Sequence, residues 1–295
     1  MASAKINILS FLLLLLCVMV SFSWAQMFHF PDKAQLELSD VLNKECGCTD
    51  YSDRDRPPEG RLQESPWLAL FYYPDETVHF CHGTLITPAH ILTTAVCASN
   101  VVVNSTDVIL GEYDFSVEQD CEGVKCADPV QKRLAQKILI HEGFDQETFE
   151  NDIAVVVIRE VMISESIKPI CLPLIKFEIG SVNQPNVYNT LWTTLPRPQQ
   201  HWMHYVELNE CRQLIGDKIN LNDGQICARS FNNRSIELAG GAGSALEVEY
   251  HHRMYQVAML SIGIVDSKPG TPYIYVDIPK YVKWIHDTVK NNLRE

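Results

Sequence analysis

Apolar residues occur in short runs through most of the chain from Trp67 onward, and turn-forming residues separate these runs at close intervals. β-Branched and aromatic side chains are frequent in the runs, which favours strands over helices. The runs are WLALFYY, FCHGTLIT, HILTTAV, DVILG, DIAVVVIR, NVYNTLW, MYQVAMLSIGIV and PYIYVDI. Short strands at this spacing are typical of an all-β barrel or sandwich.

Only the end of the chain has a clear helical pattern. Pro279 can open a helix, and Val282, Ile285, Val289 and Leu293 follow at intervals of three and four residues. This pattern predicts a C-terminal α-helix. With 295 residues, of which 46% are hydrophobic, the chain can bury one large core or two moderate ones.

The N-terminus indicates the compartment. The apolar run ILSFLLLLLCVMVSF follows Lys5, and small residues stand three and one positions before Gln26. This arrangement predicts a secretory signal peptide over residues 1–25, and the alternative is an uncleaved membrane anchor. Because no other segment is long and apolar enough to span a bilayer, we expect a secreted, extracellular protein without a membrane span after signal cleavage.

The polar residues and the charge refine this picture. Residues 26–64 are polar and charged, and DYSDRDRPPEGR predicts an exposed, irregular linker. We therefore separate an N-terminal extension, 26–64, from a folded domain, 65–295. The formal net charge is −13, and loss of the signal peptide removes one more positive charge. Such acidity argues against a nucleic-acid partner or an anionic membrane surface.

Secretion allows the ten cysteines to be interpreted as disulfides. Cys17 leaves with the signal peptide, and the odd number that remains means that one cysteine is free or pairs with another chain. Two N-glycosylation sequons begin at Asn104 and Asn233. Each could equally be an unmodified polar loop.

Several segments, taken in their order along the chain, resemble the trypsin/chymotrypsin-like serine proteases over residues 65–295. PWLALFYY, CHGTLIT, ILTTAVC, NDIAVVVI, KPICLP, QICA, GGAGSAL, LSIG, PYIYV and KYVKWI carry the resemblance. GEYDFSVEQDC with the following CADP is similar to arthropod members of the clip-protease group. The resemblance implies two packed six-stranded antiparallel β-barrels with a C-terminal α-helix. It implies no clip domain, because that module needs six cysteines and the extension has two.

The resemblance also implies a degenerate catalytic triad. In this family a serine attacks the carbonyl, a histidine carries its proton and a buried aspartate orients the histidine. The aspartate falls on Asp152, but the histidine position is Val96 and the serine position is Ala242. Neither replacement can attack a carbonyl or accept a proton, so we expect a pseudoprotease without catalytic residues.

The activation switch of the family is missing as well. A new N-terminal ammonium normally pairs with the aspartate before the serine, and that position is Gly241. No Ile-Val-Gly-Gly precedes Trp67. The resemblance assigns the oxyanion hole to the backbone N–H groups of Gly240 and Ala242, and we expect it to be poorly formed.

The substrate pocket is predicted to be blocked. The residue that sets primary specificity becomes Ile236, and the pocket-wall tryptophan becomes Ile262 beside the retained Gly263. A second pocket glycine becomes Tyr273, whose ring should fill the space that a substrate side chain needs.

The resemblance implies disulfides within the two barrels and one small closed loop, namely Cys81–Cys97, Cys211–Cys227 and Cys121–Cys126. Cys171 should tether the N-terminal segment through Cys46 or Cys48. We expect the cysteine left over to link the protein to something else or to be capped.

We expect no cofactor and no metal site. His201 and His204 in HWMH have a spacing compatible with a metal, but a surface loop is the favoured interpretation. Glu112 lies where some relatives have a calcium-binding loop, and acidic neighbours keep calcium as an alternative to a solvated acidic loop.

Three functional hypotheses follow. The first is a secreted, non-catalytic serine protease homologue that acts as a binding partner or regulator in an extracellular proteolytic cascade, for instance in innate immunity, with proteases or their zymogens as partners. The second is a secreted adhesion or ligand-recognition module that uses the loops around the old cleft. The third is an active serine endopeptidase with relocated catalytic residues.

Overall fold

The computed structural model describes residues 37–49, 61–72, 81–174, 187–193, 195–216, 219–231, 241–263 and 269–293. The predicted signal peptide and most of the predicted linker lie outside these described residues. So do three positions discussed above, Asn233, Ile236 and Gly240.

Six antiparallel strands close the first barrel in the order β1-β2-β3-β8-β7-β4. They are β1 (Leu68–Tyr72), β2 (Cys81–Thr87), β3 (His90–Thr93), β4 (Asp107–Leu110), β7 (Gln131–Ile140) and β8 (Ala154–Ile158). A short helix, α1 (Ala95–Ser99), follows β3. A small hairpin of β5 (Cys121–Glu122) and β6 (Lys125–Cys126) lies between β4 and β7 in the chain.

The second barrel closes in the order β10-β11-β14-β13-β12-β9. Its strands are β9 (Val187–Leu191), β10 (Gln199–Val206), β11 (Gln225–Ser230), β12 (Ala245–Tyr250), β13 (Arg253–Ile262) and β14 (Tyr273–Asp277). Helix α2 (Leu208–Ile215) connects β10 to β11. A 3₁₀ turn (Ile278–Lys280) and helix α3 (Val282–Lys290) end the described chain. The predicted fold class is confirmed.

The sequence pattern failed in two respects. It indicated a helix only at the end, whereas α1 and α2 are also helical. Within the run HILTTAV, the strand ends before Thr94 and helix α1 begins after it. The Thr94 side chain caps this helix by accepting a hydrogen bond from the Cys97 backbone N–H at 3.1 Å. The pattern also missed β5, β6, β7, β10, β11 and β12. Charged or polar side chains interrupt the apolar pattern of β7 and β10.

The two barrels meet through buried hydrogen bonds. Trp67 Nε1 in the first barrel donates to Glu247 Oε1 in the second, at 2.9 Å. The His82 backbone N–H donates to the Ala242 carbonyl at 2.8 Å. Because Ala242 lies in the loop just before β12, this contact brings the loop that resembles the nucleophile segment against the first barrel.

Residues 38–49 of the predicted extension pack on the folded domain. Leu42 is fully buried, and Cys46 forms a disulfide with Cys171. Gly47, with φ of +66°, donates to Pro169 and accepts from Met254, each at 2.8 Å. The further disulfides are Cys81–Cys97, Cys121–Cys126 and Cys211–Cys227, and the free cysteine of the described residues is Cys48, which is exposed. Within the described ranges, no helix has the length and apolar character needed to cross a membrane.

Candidate functional site

The buried Asp152 carboxylate forms hydrogen bonds with both barrels. It lies two residues before β8, and it is 1% exposed. The Val96 backbone N–H donates to Oδ1 at 2.9 Å, and the Ser261 hydroxyl donates to Oδ2 at 2.6 Å. Both oxygens are therefore engaged, one by each barrel.

Electrostatics at Asp152 are dominated by desolvation. Burial raises the pKa of its carboxyl group above the ordinary value of 3.8, and hydrogen bonds from Ser261 and from the backbone of Val96 and Ala95 counteract this only in part. A histidine that could become positively charged would compensate the carboxylate, but position 96 supplies only a backbone N–H.

The loop around Ala242 is held by its backbone. The Ser244 N–H donates to the Gly241 carbonyl at 3.0 Å, and the Gly243 N–H donates to Leu260 at 2.8 Å. Gly243 has φ of +88°, and a Cβ there would lie 1.9 Å from the His82 carbonyl oxygen. Only glycine fits such a close approach in this conformation.

The loop lies next to the Val96 segment. The Ala242 carbonyl oxygen is 3.5 Å from Cys97 Sγ, the residue after Val96. The structure thus brings the three predicted triad positions together, with Asp152 in direct contact with Val96. At this place the side chains of Val96 and Ala242 offer only methyl groups.

Ser244 is buried and its hydroxyl group is hydrogen-bonded. Its side chain is fully buried, and its hydroxyl accepts from Asn189 Nδ2 at 3.0 Å. Asn189 Nδ2 also donates to the Ala245 carbonyl at 2.8 Å, and Asn189 Oδ1 accepts from the Tyr275 hydroxyl at 3.1 Å. The sequence did not indicate this network, which fixes the start of β12 to β9 and β14.

Tyr273 fills space inside the second barrel. Its side chain is 5% exposed and belongs to the apolar cluster that includes Leu246, Leu260 and Tyr275. Ile262 is partly buried and pairs with Ile274, while Gly263 is exposed. A Cβ on Gly263 would lie 4.0 Å from the Tyr273 ring, which places that ring beside the strand segment assigned to the pocket wall.

His82, on strand β2, joins the two barrels. It is fully buried, and its Nε2 accepts from the Trp192 backbone N–H at 3.0 Å. Its ring stacks on the Trp192 ring at 6.1 Å between centroids. Its carbonyl accepts from the Thr93 hydroxyl at 2.6 Å. No local pattern signals this role, because Trp192 is distant in sequence.

The carboxylates of the acidic loop near Glu112 contact protein groups. Asp114 forms an ion pair with Arg197 at 2.6 Å, and both Asp120 oxygens accept backbone N–H groups, from Tyr113 and Asp114. Burial and the neighbouring Asp120 raise the pKa of Glu112. The loop is therefore held by an ion pair and by backbone hydrogen bonds to its carboxylates.

The HWMH segment lies on strand β10, so its assignment to a loop was wrong. Burial lowers the pKa of His201 to about 4, and the His204 ring stacks on Phe231 at 4.5 Å. Alternate residues of a strand share one face, so His201 and His204, three positions apart, point to opposite faces of β10. Across the part of the chain that the structure describes, no three His, Cys, Asp or Glu side chains are grouped to hold a metal.

Two closed six-stranded barrels, with Asp152, Val96 and Ala242 at their contact, define the architecture of a trypsin-like serine protease. A family model described as Trypsin matches residues 58–285. The chain belongs to this family.

Related proteins agree with this assignment. "Serine protease grass" of Drosophila melanogaster is 29% identical over 263 residues, covering 79% of this chain and 67% of that protein. "CLIP domain-containing serine protease HP8" of Bombyx mori is 36% identical over 245 residues, covering 76% of this chain and 66% of that protein. The crystal structure of the Drosophila Grass clip serine protease of the Toll pathway superposes with a TM-score of 0.74 at 28% identity, covering 89% of this chain and 79% of that one.

Proposed function

We propose that this chain is a secreted, non-catalytic serine protease homologue that acts as a binding partner or regulator in an extracellular proteolytic cascade. One observation carries the proposal. The groups that support a triad are in place around Asp152, while the positions of the base and the nucleophile are Val96 and Ala242. Loss of either group alone costs a triad about 10⁶-fold in rate.

Nearby groups do not offer a replacement. Ser244 is buried and bonded to Asn189, and the buried His82 ring is bonded to the Trp192 backbone. Catalysis requires a nucleophile and a base within hydrogen-bond reach of each other and of the substrate. This weakens the hypothesis of an active endopeptidase with relocated residues.

The cascade role is supported by the relatives and by the predicted signal peptide. The Grass protein is described as a clip serine protease of the Toll pathway, and a "Proclotting enzyme" of Tachypleus tridentatus is 26% identical over 242 residues, covering 75% of this chain and 62% of that protein. A chain with the same fold presents the same kind of surface to upstream or downstream proteases without cleaving them. Its partners would then be proteases or their zymogens.

Two measurements test the proposal. The purified chain is treated with a fluorophosphonate probe and with fluorogenic peptides of varied P1 residue, beside active bovine trypsin. We expect labelling and turnover only for trypsin. Turnover by the chain that a serine-directed inhibitor blocks would contradict the non-catalytic assignment.

The partner is tested by immobilising the chain and exposing it to extracellular fluid of the source organism, with inhibitor-blocked trypsin as the matched bait. We expect enrichment of trypsin-family zymogens or proteases on the chain alone. Enrichment only of microbial-surface or matrix components would favour the alternative, a secreted adhesion or ligand-recognition module.

We also propose that a partner is attached through Cys48. Cys46 is used by Cys171, and Cys48 is exposed with no disulfide. Non-reducing electrophoresis of the secreted protein should show a larger species that disappears in a Cys48→Ser variant. A fully reactive thiol on a monomer would overturn this part of the proposal.

A further inference from the structure

Exposed apolar side chains surround the first glycosylation sequon. Val102 is 60% exposed, Val103 is 41% exposed and Leu134 is 44% exposed. We call these three residues the sequon patch. Contiguous exposed apolar patches on soluble proteins can mark a surface that another group covers.

Backbone hydrogen bonds join the sequon to the strand that carries Leu134. The Asn104 N–H donates to the Ala135 carbonyl at 2.7 Å, and the Ala135 N–H donates to the Thr106 carbonyl at 3.0 Å. The sequon segment therefore lies directly beside Leu134 in β7.

One further exposed aromatic side chain lies on this face of the sheet, with Asp107 between it and Leu134. Tyr72 in β1 and Leu134 in β7 are both paired with Asp107 of β4. Paired residues of antiparallel strands point to the same face, so Tyr72, which is 41% exposed, lies two strands away on the outer face with Leu134.

Leu134 lies between exposed lysines on β7. The exposed neighbours along β7 are Lys132 and Lys137, which solvate the outside of the barrel. Leu134 therefore offers an apolar contact between two lysines that a covering group can occupy.

The sequon presents Asn104 outward. Asn104 is exposed, with φ of 60°, a left-handed conformation that asparagine tolerates. Thr106 is buried, and its hydroxyl accepts from the Val102 backbone N–H at 2.9 Å. The turn is thus anchored by Thr106 and leaves the Asn104 amide at its tip.

We propose that Asn104 carries an N-linked glycan whose first sugars cover the sequon patch. In the attachment step, Asn104 Nδ2 forms a bond to C1 of the N-acetylglucosamine of a lipid-pyrophosphate-linked oligosaccharide. The bond from C1 to the pyrophosphate oxygen breaks, the lipid pyrophosphate leaves, and Nδ2 loses one proton. The C–H face of the sugar then packs on Val103 and Leu134, while its hydroxyl groups face water.

The test uses the full chain secreted from insect cells with a mannosidase inhibitor, in an Asn233→Asp background that removes the second sequon. Mass spectrometry of peptides should find Asn104 occupied. Endoglycosidase H then leaves one N-acetylglucosamine on Asn104, whereas peptide N-glycosidase F removes the whole glycan and leaves aspartate.

Fluorescence of anilinonaphthalene sulfonate measures exposed apolar surface. We expect no change after trimming to one sugar and a rise of about twofold after complete removal. The matched variant Leu134→Thr, which keeps the glycan, should lose most of this rise. An unoccupied Asn104, an unchanged signal after complete removal, or an equal rise in Leu134→Thr would each overturn the proposal.

Discussion

Replacing Tyr273 by the glycine expected of an open pocket should destabilise the protein strongly. Tyr273 is 5% exposed and packs in the apolar cluster of the second barrel. Truncating a buried aromatic ring costs about 3–5 kcal/mol, and glycine inside a strand adds about 0.5–1 kcal/mol. We therefore expect Tyr273→Gly to lower the free energy of unfolding by about 4–6 kcal/mol. The midpoint of thermal unfolding should fall by about 10–20 °C.

The assay is urea unfolding followed by tryptophan fluorescence, with a thermal scan beside it. Tyr273→Phe is the matched control, because it keeps the ring and should change stability by only about 1 kcal/mol. Phenol should raise the melting temperature of the glycine variant more than that of the wild type, since it can occupy the new cavity. A glycine variant as stable as the wild type would show that the ring is not part of the core.

Three other predictions concern the three triad positions and one turn. The double variant Val96→His, Ala242→Ser should remain at least about 10²-fold below an ordinary family member in peptide turnover, because the oxyanion hole stays incomplete. Asp152→Asn should gain stability relative to the wild type as the pH rises above 3.8, the ordinary pKa of the carboxyl group. Burial raises the folded-state pKa, so the ionised carboxylate of the wild type opposes folding in that range. Urea titrations at several pH values measure the difference in free energy of unfolding. Replacing His251 by Asn and His252 by Gly should raise the free energy of unfolding by about 1 kcal/mol in the same assay, because both residues have positive φ in a two-residue hairpin loop.

The strands that the sequence predicted are those in which apolar residues are nearly continuous. β8 (Ala154–Ile158) is buried along its whole length, and its continuous apolar run can be recognised as a strand from the sequence alone. β7 (Gln131–Ile140) alternates imperfectly, and a register shift between Ala135 and Lys137 breaks its period of two. Such a strand is specified by its neighbours more than by its own residues.

Contacts between residues distant in sequence determine which cysteine pairs with Cys171, a choice that the sequence alone left open. The choice between Cys46 and Cys48 depends on Gly47, which lies against the Met254 backbone so closely that a Cβ would be 2.4 Å from the Met254 carbonyl oxygen. Nothing near Gly47 in the sequence indicates that neighbour. By contrast, the position of Asp152 followed from a motif, because the motif includes the strand that holds it.

Gly243 and Ala242 are neighbours with opposite tolerance to mutation. The Ala242 side chain makes no hydrogen bond, and the loop is fixed by its backbone. Gly243 is fixed by the carbonyl of His82 in the other barrel. A gene encoding this fold can therefore lose its nucleophile by one substitution without a folding penalty, whereas it cannot lose the adjacent glycine. Inert members of such a family are easily reached in evolution, because chemistry and architecture depend on different residues of one loop.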